Sequence, residues 1–434
     1  MGQYPFNASQ EQVNTLRELA RRYTEMCADP RMAERRELWR RHNNLEPTRV
    51  LFLCSWLWAS NTEKFLLKKD CVCQEGVLLY AERWLRNRIY HFDLNDDMVF
   101  EPWLPVRAIF VGADGERWGD CTRDGFLPIT NLWGEHQEII HKGDAWMAVP
   151  FVKSEKDILE WVKPCHHQIN EAATAELKAS LEEIFDGTIT ISMDRRPIYA
   201  STYGGCDISE ALGKFIGIEN LYYMVYEDPD LIHALASHMQ RAVLTAFDEA
   251  EKAGDFATDE SINSCQGMPY CEGLRDPEAN GRNFKMKDMW LYTHAQEFTA
   301  FSPQMHKEFL LDYQKPILEK FGLSAYGCCE DLGNKIDILR SIKNLRRITV
   351  SPVANVRSCA EQIGTDYILS WRPNPTSVVL GFDDAEMRKE LETGMKEARG
   401  CHVDFMLKDI TGVSDPNNLK RWSRIARETA EKYS

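Results

Sequence analysis

The chain has 434 residues, 44% of them hydrophobic and 27% charged, with a net charge of −15. That composition calls for a sizeable folded core, in one large domain or two ordinary ones, and excludes a disordered chain. The acidic balance argues against a general nucleic-acid binder and against docking on anionic membrane surfaces. No run is long and apolar enough to cross a bilayer, and the first residues lack a basic-then-apolar leader pattern. The 13 cysteines are odd in number and spread along the chain. They read as reduced thiols of a cytoplasmic protein rather than as a disulfide framework.

Residues 9–41 are predicted to form one or two charged amphipathic helices. Leu16, Leu19, Ala20 and Tyr23 recur at helical spacing, and Asp29–Pro30 marks a break. The apolar run after Arg49 carries Trp56 and Trp58; periodicity leaves it open between a buried strand and the start of a helix. Residues 62–88 read as helical. Cys71 and Cys73 within them read as structural, because no second Cys/His pair follows at a zinc-ribbon distance. The stretch 96–106 predicts an early strand ending at Glu101, Pro102 and Trp103. A hairpin follows, 108–112 against 117–120, with its turn at Ala113–Gly115. Cys165, His166 and His167 are consecutive, and neighbours on a helix do not face one metal together.

From Ala172 the pattern alternates. Helix 172–185 precedes strand 188–193; helices over 207–213, 218–226 and 229–254 precede strand 261–265. A polar loop, 267–283, leads to a helical 287–292, an apolar 298–302 and a helix over 304–321. Strands at 323–328, 347–350, 367–370 and 402–407 follow, each with a helix behind it. Strand–helix alternation implies a parallel sheet with right-handed crossovers. Counting back to the strand near Val99 gives about eight strands, the number that closes a (β/α)8 TIM barrel. No glycine-rich dinucleotide or phosphate loop opens any helix.

Ser324–Gly333 concentrates the chemistry. A short apolar run through Tyr326 leads into Gly327, Cys328, Cys329, Glu330 and Asp331. A strand here delivers a thiolate and a carboxylate to its C-terminal end, and zinc accepts both. The same residues also suit small buried side chains and a helix cap. If the strand pleat persists, Cys329 points away from Cys328 and packs. Glu297, after His294 and Gln296, enters the same region as a ligand, an acid or a satisfied polar group.

Several later stretches, taken in order, resemble the uroporphyrinogen decarboxylase superfamily. They are Gly205–Gly213, Gly217–Leu221, Glu227–Leu231, Ser302–Phe309 with Tyr313 and Pro316, Arg347–Pro352 and Trp371–Pro375. The resemblance implies a (β/α)8 barrel over 91–434, behind an N-terminal helical extension or cap over 1–90. It places the site at the C-terminal strand ends. The superfamily decarboxylates uroporphyrinogen without a cofactor, or transfers methyl groups with corrinoid proteins, often with zinc. In its zinc methyltransferases the strand matching 323–328 ends in His-x-Cys. Here the histidine position is Tyr326 and the cysteine position is Cys328, so the pattern is partly kept and asks for a different ligand, such as Glu330, Glu297 or Asp409.

The resemblance therefore implies a corrinoid-dependent methyltransferase of O-demethylase type, in one-carbon metabolism. Its substrate is a small methylated compound of methoxy or methylamine type and its acceptor a corrinoid protein; the family also allows a homodimer. Cys328, Glu330 and Asp409 become the expected zinc ligands. Glu297, Glu330 and Tyr326 become the catalytic candidates. Glu101, Trp103, Trp371 and Arg372 are expected to line the substrate, and Arg372 and Lys408 suit a carboxylate or phosphate. The alternative is a decarboxylase-like lyase acting on a polycarboxylate without a cofactor. It fits less well, because the N-terminal arginines fall in a helical pattern and the early strand ends in Glu101–Trp103. A non-catalytic binding protein on the same barrel is a third reading.

Overall fold

Parallel strands covered on both faces need short, apolar, β-branched or aromatic runs, and the chain supplies them at regular intervals. A computed structural model describes residues 7–54, 70–111, 117–118, 133, 138–142, 145–200, 208–258, 267–381, 383–410, 413 and 415–434. Eight parallel strands are found in it: β1 Leu51–Cys54, β2 Trp103–Arg107, β3 Thr190–Asp194, β4 Trp290–Thr293, β5 Leu323–Tyr326, β6 Leu345–Val350, β7 Ile368–Trp371 and β8 His402–Leu407. Six form one sheet in the order β1-β8-β7-β6-β5-β4, and β2 pairs with β3 separately. The first strand lies beside the last and the order never reverses. That winding belongs to a barrel-like α/β fold; a doubly wound sheet reverses direction.

Among the described residues the ring is not closed by strand pairing between β1 and β2 or between β3 and β4. Polar side chains occupy both edges. The Phe52 amide donates to Asp97 Oδ2 at 3.0 Å and the Cys54 amide to Asp96 Oδ2 at 2.8 Å. At β3, Asn280 accepts from the Met193 amide at 3.1 Å and donates to the Ile191 carbonyl at 2.9 Å. Unpaired strand groups buried without such partners would be costly.

Two helices precede β1: α1, Gln10–Cys27, opened by a capping box of Ser9 and Gln12, and α2, Arg31–Asn43. Helix α3, Gly76–Phe92, lies between β1 and β2. Leu51–Cys54 pairs residue for residue with Asp404–Leu407. β1, which lies within residues 1–90, is thus part of the same sheet as β8. Helix α2 is highly polar, yet Trp39, His42 and Asn43 are buried. Its polar groups reach backbone and charges near the N-terminal strand ends: Trp39 Nε1 donates to the Asp97 carbonyl at 2.7 Å, and Asn43 Nδ2 to the Tyr270 carbonyl at 2.7 Å.

Two expectations shift. Residues 287–292 were expected to be helical, but Trp290–Thr293 form β4; Trp, Tyr and Thr favour strands. The apolar stretch 298–302 is entered through a 3-10 turn at Gln296–Phe298. The early strand begins, rather than ends, at Trp103. Pro102 sits just before it, where a missing donor is tolerated. The hairpin of Phe110–Val111 with Arg117–Trp118 forms as expected. Its turn, the strand expected at 261–265, and Trp56 and Trp58 lie outside the described residues.

Paired residues in parallel strands face the same way. Leu51, Ser370 and Asp404 are in register on the inner face; Phe52, Trp371 and Phe405 are in register on the outer face. The outer face packs under the helices with Tyr326, Leu407 and Trp422. Arg347, Ser370, Arg372, Asp404 and Lys408 give β6–β8 a polar, buried inner side.

Candidate functional site

β5 ends at Tyr326, and the chain leaves the pleat at once. Gly327 has φ +105°, and a Cβ there would lie 2.6 Å from Leu332 Cδ1 and 3.1 Å from Thr349 Cβ. Only glycine suits that turn. It also resets which way the next side chains point. Tyr326 faces the helices, donating to Gln314 Oε1 at 2.6 Å and meeting His306 Nε2 at 2.8 Å. Cys328, two residues on, packs instead with Tyr292 and Ala325 of the inner face. Gly327→Ala is expected to lower stability by about 1–3 kcal/mol, the usual cost of such backbone strain. Chemical denaturation measures this, and an unchanged midpoint would show that the turn does not need glycine.

The last strand supplies the partner. Along β8 the inner positions Asp404 and Met406 continue to Lys408, which is 2% exposed. Asp409 then adopts φ +57°, a left-handed conformation that aspartate tolerates, and turns the chain outward. Lys408 Nζ reaches both thiols beyond β5, at 3.1 Å from Cys328 Sγ and 3.0 Å from Cys329 Sγ. The sulfurs are 3.7 Å apart. Asp409 Oδ2 lies 3.4 Å from Nζ and 3.8 Å from Cys329 Sγ. Cys328 is 8% exposed. Cys329 is exposed. The hydrogen bond with Cys328 lowers the Cys329 pKa; partial burial opposes this and the Lys408 charge reinforces it.

A charged network runs along the inner face from α2 through the middle of β6–β8 to Arg372 just past β7. Arg347 pairs with Asp404 and donates to Ser370 Oγ at 3.0 Å and Asn43 Oδ1 at 2.9 Å. Arg372, fully buried, donates to the same Ser370 Oγ at 2.9 Å. His42 Nε2 meets Asp404 Oδ2 at 2.9 Å. Burial alone would raise the Asp404 carboxyl, but Arg347 and the His42 hydrogen bond hold it well below the usual carboxylate range. Burial lowers the His42 pKa, and the hydrogen bond and charge of Asp404 work against it. Thr349 Oγ1 and Ser351 Oγ, also buried, have no hydrogen-bond partner among the described residues.

The expected site residues divide. Cys328, Glu330, Arg372 and Asp409 lie at the C-terminal strand ends. Glu330 is nonetheless a brace: Oε1 accepts from the Ala295 amide at 2.7 Å and Oε2 from the Cys328 amide at 2.8 Å, tying the loops after β4 and β5. Tyr326 is turned to the helix layer, so the expected catalytic role has no access to the thiols. Glu297 accepts from the Ser209 hydroxyl, and its Cγ lies 2.5 Å from where a Gly213 Cβ would be. It packs against helix Ile208–Ile216 rather than joining Cys328. Glu101 and Trp103 sit at the N-terminal end of β2, because that strand starts at Trp103. Glu101 takes two hydrogen bonds from Arg36, at 2.8 and 2.9 Å, and one from the Tyr270 hydroxyl. Trp371 faces outward, and a Cβ at Gly394 would strike its ring at 2.4 Å. Cys329, expected to pack, is at the centre of the cluster with Lys408. The available signal was Gly327 itself, whose left-handed turn cancels the pleat.

Two thiolates on tetrahedral zinc, with Zn–S near 2.3 Å, stand about 3.8 Å apart. The Cys328–Cys329 spacing of 3.7 Å suits that edge. The rest of the set does not. Both Glu330 oxygens are held by amides, and the Lys408 ammonium stands against both sulfurs, where a cation would. Among the described residues no three His, Cys, Asp or Glu side chains converge on a metal position. The donors present do not fit zinc held by Cys328, Glu330 and Asp409.

No family model matches the chain, and no curated protein matches it. Among solved structures, a methyltransferase from Methanosarcina mazei is similar over 91% of this chain and 97% of that one, at 12% identity and a TM-score of 0.48. A likeness at that level establishes neither activity nor substrate.

Proposed function

We propose that the chain is a methyltransferase that moves a methyl group from a small methoxy- or methylamine-type substrate to a corrinoid protein. The observation that supports this reading is the Lys408 ammonium held against two thiols at the C-terminal strand ends. Demethylation fails without a proton for the departing heteroatom. As the carbon–heteroatom bond breaks, its electron pair stays on oxygen or nitrogen, which takes a proton from Lys408 Nζ. The methyl group passes to the acceptor on the partner. The sulfurs hold the ammonium in place. Arg372, with the Thr349 and Ser351 hydroxyls on the adjoining strand, suits a substrate that also carries a carboxylate.

The same inner-face cations, Arg347, Arg372 and Lys408, favour a second reading: a lyase acting on a polycarboxylate. The products separate the two. The protein is mixed with a corrinoid protein in its cobalt(I) state and a panel of methoxylated and N-methylated carboxylates. Methylcorrinoid absorbance is the expected result. Carbon dioxide release from a polycarboxylate without the corrinoid protein would replace methyl transfer with the lyase. Elemental analysis decides the role of metal: about one zinc per chain, lost in Cys328→Ser, would displace Lys408 as the activating group.

A further inference from the structure

We infer that Cys328 and Cys329 form a peroxide-responsive disulfide switch at the C-terminal strand ends. The inference stands apart from the methyl-transfer reading, because it needs only the two thiols and the Lys408 charge beside them. An oxidation-sensing cysteine needs access, a neighbouring cation and a second thiol within reach. Among the described cysteines this pair meets all three conditions. Cys329 is the exposed one; Cys401 is half-buried and the others are buried. Lys408 Nζ lies 3.0 Å from Cys329 Sγ, and Cys328 Sγ lies 3.7 Å from it.

The chemistry balances with one hydroperoxide. The Cys329 thiolate attacks a peroxide oxygen, the O–O bond breaks, and the departing hydroxide takes a proton. Cys329 is then a sulfenic acid. Cys328 gives up its proton and attacks the Cys329 sulfur. The S–S bond forms, the S–O bond breaks, and water leaves. Two thiols lose two electrons to one hydrogen peroxide, which becomes two waters.

The sulfurs must close from 3.7 Å to about 2.05 Å. Neighbouring Cα atoms are about 3.8 Å apart, short of the usual disulfide window of roughly 4.4–6.8 Å. The resulting bond is strained and readily reduced, which suits a reversible device. Oxidation takes both sulfurs from Lys408 in one step and leaves it Asp409.

The test uses the full chain, reduced, exposed to equimolar hydrogen peroxide and then alkylated with iodoacetamide. The peptide carrying both cysteines is expected to lose two hydrogens and take no label. Dithiothreitol should restore labelling of both. In Cys328→Ser, a sulfenic acid at Cys329 should be trapped by dimedone. Full labelling after peroxide would overturn the switch, as would Cys329 passing to sulfinic acid with Cys328 still labelled. A peptide that gains one oxygen and loses two hydrogens through a Lys408 link would overturn the dithiol assignment.

Discussion

Lys408→Met is expected to lower methyl transfer by about 10²–10⁴-fold, the span of a lost general acid. Methionine keeps the length and apolar stem of lysine and removes only the ammonium. The side chain is buried, and its charge meets two sulfurs and Asp409. Removing it leaves two thiols that can remain protonated, so little loss of stability is expected. Two readouts separate catalysis from mere support. Iodoacetamide labelling of Cys329 near neutral pH should slow, because the cation that favours its thiolate is gone. The loss should also fall on kcat more than on KM, since the proton is needed only as the bond breaks. Lys408→Arg keeps the charge but donates a proton poorly, so labelling should persist while turnover stays low. Full activity in Lys408→Met would remove the lysine from the reaction and return attention to a metal.

How much of this was legible in the sequence depends on where the chain kept its period. The β5 to β8 strands stand close to their predicted places, since each is a short apolar run between amphipathic helices. The strand pleat also carries Arg347, Ser370, Asp404 and Lys408 to one face without further information. Two local events broke the reading. The left-handed Gly327 separated Tyr326 from Cys328, which parity had placed on one side, and brought Cys329 to the lysine. Pro102 started a strand that the apolar pattern seemed to end, and so sent Glu101 and Trp103 to the wrong end of the sheet. Glu330 was found in place but with both oxygens engaged by backbone amides, which depends on tertiary contact with Ala295 and not on any local pattern.

Asp404→Asn should be the most destabilising single change, at about 3–5 kcal/mol in urea unfolding, because it strips the counter-charge from a buried cation. Arg347 is fully buried and pairs directly with Asp404, while Arg372 is linked to the same carboxylate through Ser370. Asparagine preserves the shape and some hydrogen bonds, so the loss reads the charge. The sign in pH follows from the carboxyl, held below the usual range in the folded chain. Its stabilisation is fully present above the unfolded value of about 3.9 and fades as pH falls towards the folded value. In Asp404→Asn that part of the acid limb should vanish. Arg347→Met alone should also destabilise, but the double variant should cost less than the sum of the singles, since neither then leaves a buried charge alone. Additive losses would mean that the two residues are not coupled.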